Sequence, residues 1–128
     1  MGTGTSIGRV RGLGSAHEGS HHWWRQRMTA AGNLILVTWL LVSIARLGGY
    51  DLASIAGWVA SPWVAIPLAL FVVNVFTHLR LGLQVVIEDY QHEETRVVLI
   101  VLLNLYTVAL GAVALFAILK LALTGAPR

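Results

Sequence analysis

Three stretches of this chain contain no Asp, Glu, Lys or Arg: positions 28–45, 52–79 and 97–119, which are 18, 28 and 23 residues long. A helix rising about 1.5 Å per residue needs roughly 20 residues to cross a hydrocarbon layer about 30 Å thick. The first stretch is long enough if the arginines at its ends snorkel, the second exceeds the need, and the third spans comfortably. Only 12% of the residues are charged and 56% are hydrophobic, whereas a soluble domain carries about 25% charge. So little charge cannot cover a water-facing surface, and lipid must be the solvent for much of the chain. The predicted fold class is an all-α membrane protein with three transmembrane helices.

With 128 residues there is room for one domain. The predicted layout is a flexible Gly-rich tail over 1–20, a three-helix anchor domain over 21–122 and a short external tail over 123–128. The helices are expected at about 27–47, 62–90 and 95–121. Residues 1–20 hold six of the thirteen glycines. No apolar core follows Arg9 and Arg11 before Met28, so a secretory signal is not expected; an organellar transit peptide is the lesser alternative. Ser61-Pro62 reads as the cap and first position of the second helix, and Pro67 as a candidate kink. The segment from Gly48 to Ser61 is expected to be a loop. Gln91 to Thr95 is short enough to make the second and third helices a tight antiparallel hairpin.

The nine basic residues are scattered rather than clustered, which excludes a nucleic-acid patch. Arg9, Arg11, Arg25, Arg27 and Arg96 lie on one side of the predicted membrane, and Arg46, Lys120 and Arg128 on the other. The positive-inside rule then predicts a cytoplasmic N-terminus and a periplasmic C-terminus. Trp23, Trp24, Trp58 and Trp63 fall near predicted interfaces, as belt residues do. There is no internal repeat, which disfavours a repeat-built transporter. The chain has no cysteine, so disulfides, iron–sulfur ligation and thiolate zinc sites are excluded on it.

Four of the five histidines, His17, His21, His22 and His92, lie in the tail or a turn. His78 alone is inside an apolar helix, twelve residues before Tyr90 and so roughly 18 Å from that end. An ionisable residue at such depth is a functional-site candidate. Two readings are open: ligation of a haem iron, or a hydrogen bond to a neighbouring helix, with Asn74 one turn back as a candidate partner. Gly82, four residues on and on the same face, would leave room for a flat macrocycle; close helix packing would also use it. A six-coordinate electron-transfer haem needs two axial ligands. The second would come from another polypeptide or a second copy, so a membrane partner is expected. Glu88, Asp89 and Tyr90 end the second helix. The Tyr90 hydroxyl could donate to a quinone carbonyl and Asp89 could relay protons, or the tyrosine is an aromatic-belt residue beside ordinary helix-end polarity. Arg27, expected to open the first helix on the same membrane surface as Tyr90, could hold a quinone-derived anion or a haem propionate, or simply anchor the helix.

The run His78-Leu79-Arg80-Leu81-Gly82-Leu83-Gln84-Val85-Val86-Ile87-Glu88-Asp89-Tyr90, together with His21-His22-Trp23-Trp24-Arg25-Gln26-Arg27-Met28-Thr29-Ala30, resembles the small hydrophobic membrane anchor of succinate dehydrogenase, respiratory Complex II, of the alphaproteobacterial type. The helix run looks like the family's His-x3-Gly…Asp-Tyr signature, and the N-terminal run is similar to the family's segment leading into the first helix. The resemblance covers roughly residues 14–120. It implies that His78 is the axial ligand of haem b, with the other ligand from a sister anchor subunit. It implies that Tyr90 hydrogen-bonds ubiquinone beside Asp89, that Arg27 lies near the haem propionates and quinone, and that His21 is close to the same region. Iron–sulfur and flavoprotein subunits would dock on the cytoplasmic face of a bacterial inner membrane, and succinate oxidation would occur on them. The chain is not expected to be an enzyme in isolation. Arg80 has no counterpart that the resemblance assigns. The rival expectations are a cytochrome b-type anchor of fumarate reductase and a cofactor-free structural scaffold subunit.

Overall fold

The structure is a computed structural model and describes Ser6 and residues 19–125. Four helices follow one another: α1 (Gly19–Ala45), α2 (Leu52–Ala60), α3 (Pro62–Tyr90) and α4 (Glu93–Thr124). Three of them, α1, α3 and α4, are long and apolar enough to cross a membrane, and there is no strand among the described residues. The expectation for the glycine-rich tail falls outside the described residues, apart from Ser6, Gly19 and Ser20; residues 126–128 of the predicted external tail are outside them too.

The boundaries differ from the expected ones in three places. First, α1 starts at Gly19 rather than near Arg27. No helix breaker stands between Ser20 and Met28, and the His, Trp, Arg and Gln side chains there all tolerate helix. Second, the expected loop between the first two spans contains α2. Asp51 caps it, accepting from the Ser54 backbone N–H at 3.2 Å and from the Ser54 hydroxyl at 2.5 Å. Its apolar Ala56 and Val59 are buried, and the helix packs on α3 and α4. Third, α4 runs from Glu93 to Thr124, two residues earlier and three later than expected. Its acidic Glu93 and Glu94 suit a helix N-terminus, and Gly125, at φ +74°, ends it with its N–H on Leu121 O at 3.0 Å.

Asp51 has a carboxyl held below its ordinary value, first by the Ser54 hydroxyl and then by the Ser54 N–H. A depressed carboxyl contributes stability above its unfolded pKa and loses it as pH falls through the folded one. The α2 cap is therefore expected to loosen only in strong acid, below the ordinary carboxylate range. Asp51→Ala should open it at neutral pH, read as faster hydrogen exchange at the Ser54 amide. An unchanged exchange rate in that variant would contradict the cap.

Ser61 ends α2 and begins α3, with Pro62 at the first helical position. Its hydroxyl makes no cap bond; the Ser61 carbonyl receives the Val64 and Ala65 N–H groups instead, at 2.9 and 2.8 Å. Pro67 lies within the unbroken run of α3. Two residues, Gln91 and His92, join α3 to α4. Contacts between these helices pair Arg80 with Asn104 and Phe76 with Gly111, so progress along one is matched by retreat along the other. Val59, Ala65 and Ile118 form a small core under Trp58, Leu68 and Leu121. Most large apolar side chains elsewhere are exposed, Trp63 and Leu123 among them, as expected of helices whose outer faces meet lipid or another chain rather than water.

Candidate functional site

A polar ladder joins α1 to α3. The His78 ring lies half-buried against α1, with Nδ1 2.9 Å from the Thr29 hydroxyl. One turn away, Asn74 donates through Nδ2 to the Thr29 carbonyl and to Asn33 Oδ1, both at 2.8 Å. In the other direction, Gly82 faces Gln26, whose Nε2 is 3.3 Å from where a Cβ on residue 82 would sit. The rungs Gln26–Gly82, Thr29–His78 and Asn33–Asn74 advance along α1 as they retreat along α3, so the two helices run in opposite directions.

This register corrects one expectation. Because α1 begins eight residues before Arg27, that arginine is inside the helix, not at its start. It is level with Arg80, about ten residues and roughly 15 Å along the axis from Tyr90. Arg27 and Tyr90 share an end of the bundle but not a level. The polar residues of α1 instead flank the half of α3 that leads from His78 to Tyr90.

Between those flanks lies a cavity of about 880 Å³, lined by residues of α1 including His21, His22, Arg25 and Arg27 and by Arg80, Gly82 and Glu88 of α3. Three of the lining residues are arginines and one is a glutamate, whose carboxylate already accepts from Gln84 Nε2 at 2.8 Å, so the lining's charge favours an anion. The Arg27 guanidinium lies 4.7 Å from the Trp23 ring centroid, a cation–π contact, and Trp23 stacks on Trp24 at 6.1 Å. His22 Nε2 and Gln26 Oε1 are buried without a hydrogen-bond partner among the described residues. Of the residues singled out from sequence, His21, Arg27 and Gly82 line this cavity. His78 does not line it but is tied to its wall through Thr29, whose hydroxyl also lies 3.0 Å from Gln26 O. Asp89 and Tyr90 are exposed at the end of α3, away from it.

Within the ladder, the sequence reading misses Thr29, Gln26 and Asn33. Their signal is present: Thr29 and Asn33 are four residues apart in an apolar stretch, as are Asn74 and His78. Two polar pairs of equal spacing on neighbouring spans can meet rung on rung. Arg80, to which the sequence assigns no role, has its Nε hydrogen-bonded to Asn104 Oδ1 on α4. An arginine at that depth needs such a partner.

The residues fit a haem. Nδ1 of His78 is engaged, and Nε2 has no hydrogen-bond partner among the described residues, which is the arrangement an axial imidazole requires. Among those residues there is no cluster of three or more His, Cys, Asp or Glu that could hold a bare metal ion.

Residues 1–119 match the model of the succinate dehydrogenase/fumarate reductase transmembrane subunit family. The chain is 30% identical over 114 residues to the succinate dehydrogenase hydrophobic membrane anchor subunit of Paracoccus denitrificans, covering 89% of this chain and 88% of that one. It is 34% identical over 114 residues to the corresponding protein of Rickettsia bellii, covering 86% and 91%. No solved structure matches it significantly. A multi-pass chain whose three apolar helices and nearly whole length are matched in this way belongs to the succinate dehydrogenase/fumarate reductase transmembrane subunit family, among its hydrophobic membrane anchor subunits.

Proposed function

We propose that this chain anchors a succinate:ubiquinone oxidoreductase in the bacterial inner membrane, shares a haem b with a sister anchor subunit and forms part of the quinone-reduction site. The observation that carries the reading is the His78 ring, held by Nδ1 on a spanning helix with Nε2 unpartnered among the described residues. His78 would bind the iron on one side and a histidine of the sister anchor would bind it on the other. Gly82 would leave space beside the ring, and Arg27, with His21 near it, would balance the propionates from the cationic cavity. When bound, the haem supplies one-electron chemistry near the quinone.

Tyr90 has its own task in this reading. Its hydroxyl, at the end of α3, would donate to a quinone carbonyl, and Asp89 beside it would pass a proton inward from water. The turn at Gln91 and His92, with the N-terminus, would face the cytoplasm, where iron–sulfur and flavoprotein subunits dock and succinate is oxidised. This chain contributes position and electrostatics to that reaction.

Two measurements on the purified complex test the reading. A reduced-minus-oxidised spectrum should show a b-type haem. Tyr90→Phe should slow succinate-dependent ubiquinone reduction roughly ten-fold, the equivalent of one hydrogen bond of about 1.4 kcal/mol, while succinate oxidation by an artificial acceptor stays unchanged. A wild-type rate in that variant would remove Tyr90 from the quinone site. Since the family includes fumarate reductases, the two directions should be assayed side by side; faster fumarate reduction would favour that alternative.

A further inference from the structure

We propose that Thr29 is a positioning residue for His78: its hydroxyl accepts the ring's Nδ1–H and so fixes the tautomer that leaves the Nε2 lone pair free. The inference deepens the haem reading above, on which its ligand role rests. The Thr29 hydroxyl has one proton and three acceptors in range: Arg25 O at 2.9 Å, Gln26 O at 3.0 Å and His78 Nδ1 at 2.9 Å. If Nδ1 carries the proton, the ring donates to the hydroxyl and the hydroxyl donates to a carbonyl, making two hydrogen bonds. If Nε2 carries it, the hydroxyl donates to the ring, only that bond forms, and an N–H is left without an acceptor among the described residues. At this depth an unmatched N–H is costly, so the first arrangement prevails.

The hold on the ring is rigid for local reasons. A helical threonine whose hydroxyl reaches the carbonyls three and four residues back has a restricted side-chain rotamer, and here that rotamer turns the remaining lone pair toward α3. The Thr29 carbonyl is gripped in turn by Asn74, on the same face of α3 as His78 and one turn away. Thr29 is thus fastened to α3 by both its side chain and its backbone, and the imidazole cannot swing without disturbing α1. Ligating histidines generally receive such outer support from a carboxylate, a backbone carbonyl or water; here the Thr29 hydroxyl takes that place.

The test uses the whole complex, depleted of haem, with wild-type, Thr29→Val and Thr29→Ser anchors. Valine preserves the branched shape and removes the hydroxyl; serine restores the hydroxyl. Nitrogen-15 NMR of labelled histidine, with His78→Gln to assign the signals, reads which ring nitrogen is protonated. Titration with haemin reads affinity. The expected result is an Nδ1–H ring in the wild type and the serine variant. In the valine variant a tautomer mixture should appear, and haem affinity should fall by roughly 10-fold or more. An Nε2–H ring in the wild type, or a valine variant with unchanged tautomer and affinity, would overturn the proposal. If the wild type binds no haem yet loses its Nδ1–H tautomer in the valine variant, the haem reading fails while Thr29 keeps its hold on the ring.

Discussion

His78→Ala is expected to eliminate the b-type haem spectrum of the complex while leaving the three spans inserted. The physical asymmetry is large. One imidazole contributes only a single bond to the α1–α3 interface, and interhelical hydrogen bonds in membranes average about 0.6 kcal/mol. Asn74 still ties α3 to both Thr29 and Asn33, so the helices should remain paired. On the proposed reading the iron, in contrast, would lose an axial ligand outright, with no other histidine at that level among the described residues: His21 and His22 lie on α1 beside Gln84 to Glu88, and His92 is in the turn after Tyr90. The measurement is a pair of reduced-minus-oxidised spectra, wild type and variant, on complexes of equal polypeptide content. Retention of the full haem band in the alanine variant would remove His78 from iron ligation. A complex with no band in either form, and no change in quinone reduction, would instead support the cofactor-free scaffold.

Much of the architecture is legible because lipid imposes a coarse rule. Runs of uncharged residues have to be helices long enough to span, and 28–45, 52–79 and 97–119 each contribute to one, α3 starting ten residues into the middle run and α2 taking its beginning. Where water and lipid both have access, charge is a poor guide to boundaries. Arg27 reads as a helix start because it ends an apolar run, yet a helix at the interface tolerates arginine, and α1 continues to Gly19. The same holds for α2: nine residues are too few to span, so a length criterion passes over them. The Asp51–Ser54 cap and the burial of Ala56 and Val59 make them helical. In the site, His78 stands out by being ionisable in an apolar run. Its partner does not, since threonine is common in spanning helices and bonds back to its own helix. The matched spacing of Thr29–Asn33 and Asn74–His78 contains the register, but only a contact between the two helices distinguishes that match from coincidence.

The other large effect should come from Gly32. A Cβ there would lie 2.9 Å from Asn74 Nδ2 and 3.2 Å from the amide carbon and oxygen. The obstacle is the end of a side chain, which ordinarily could move aside. This amide cannot do so freely, because Nδ2 already bonds to the Thr29 carbonyl and to Asn33 Oδ1. Gly32→Leu must therefore either break both bonds or push α1 away from α3. Overpacking of a filled interface typically costs about 1–3 kcal/mol, and the two lost bonds add about 0.6 kcal/mol each. Thermal stability of the assembled complex should fall accordingly. Haem occupancy should fall too, since a displaced α1 takes Thr29 away from the His78 ring. A double-mutant cycle isolates the contact. Gly32→Ala and Asn74→Ala should each destabilise, but together by less than their sum, because removing the amide makes room for the new methyl. Strict additivity would mean that residues 32 and 74 do not touch, and the α1–α3 register that aligns Thr29 with His78 would be wrong.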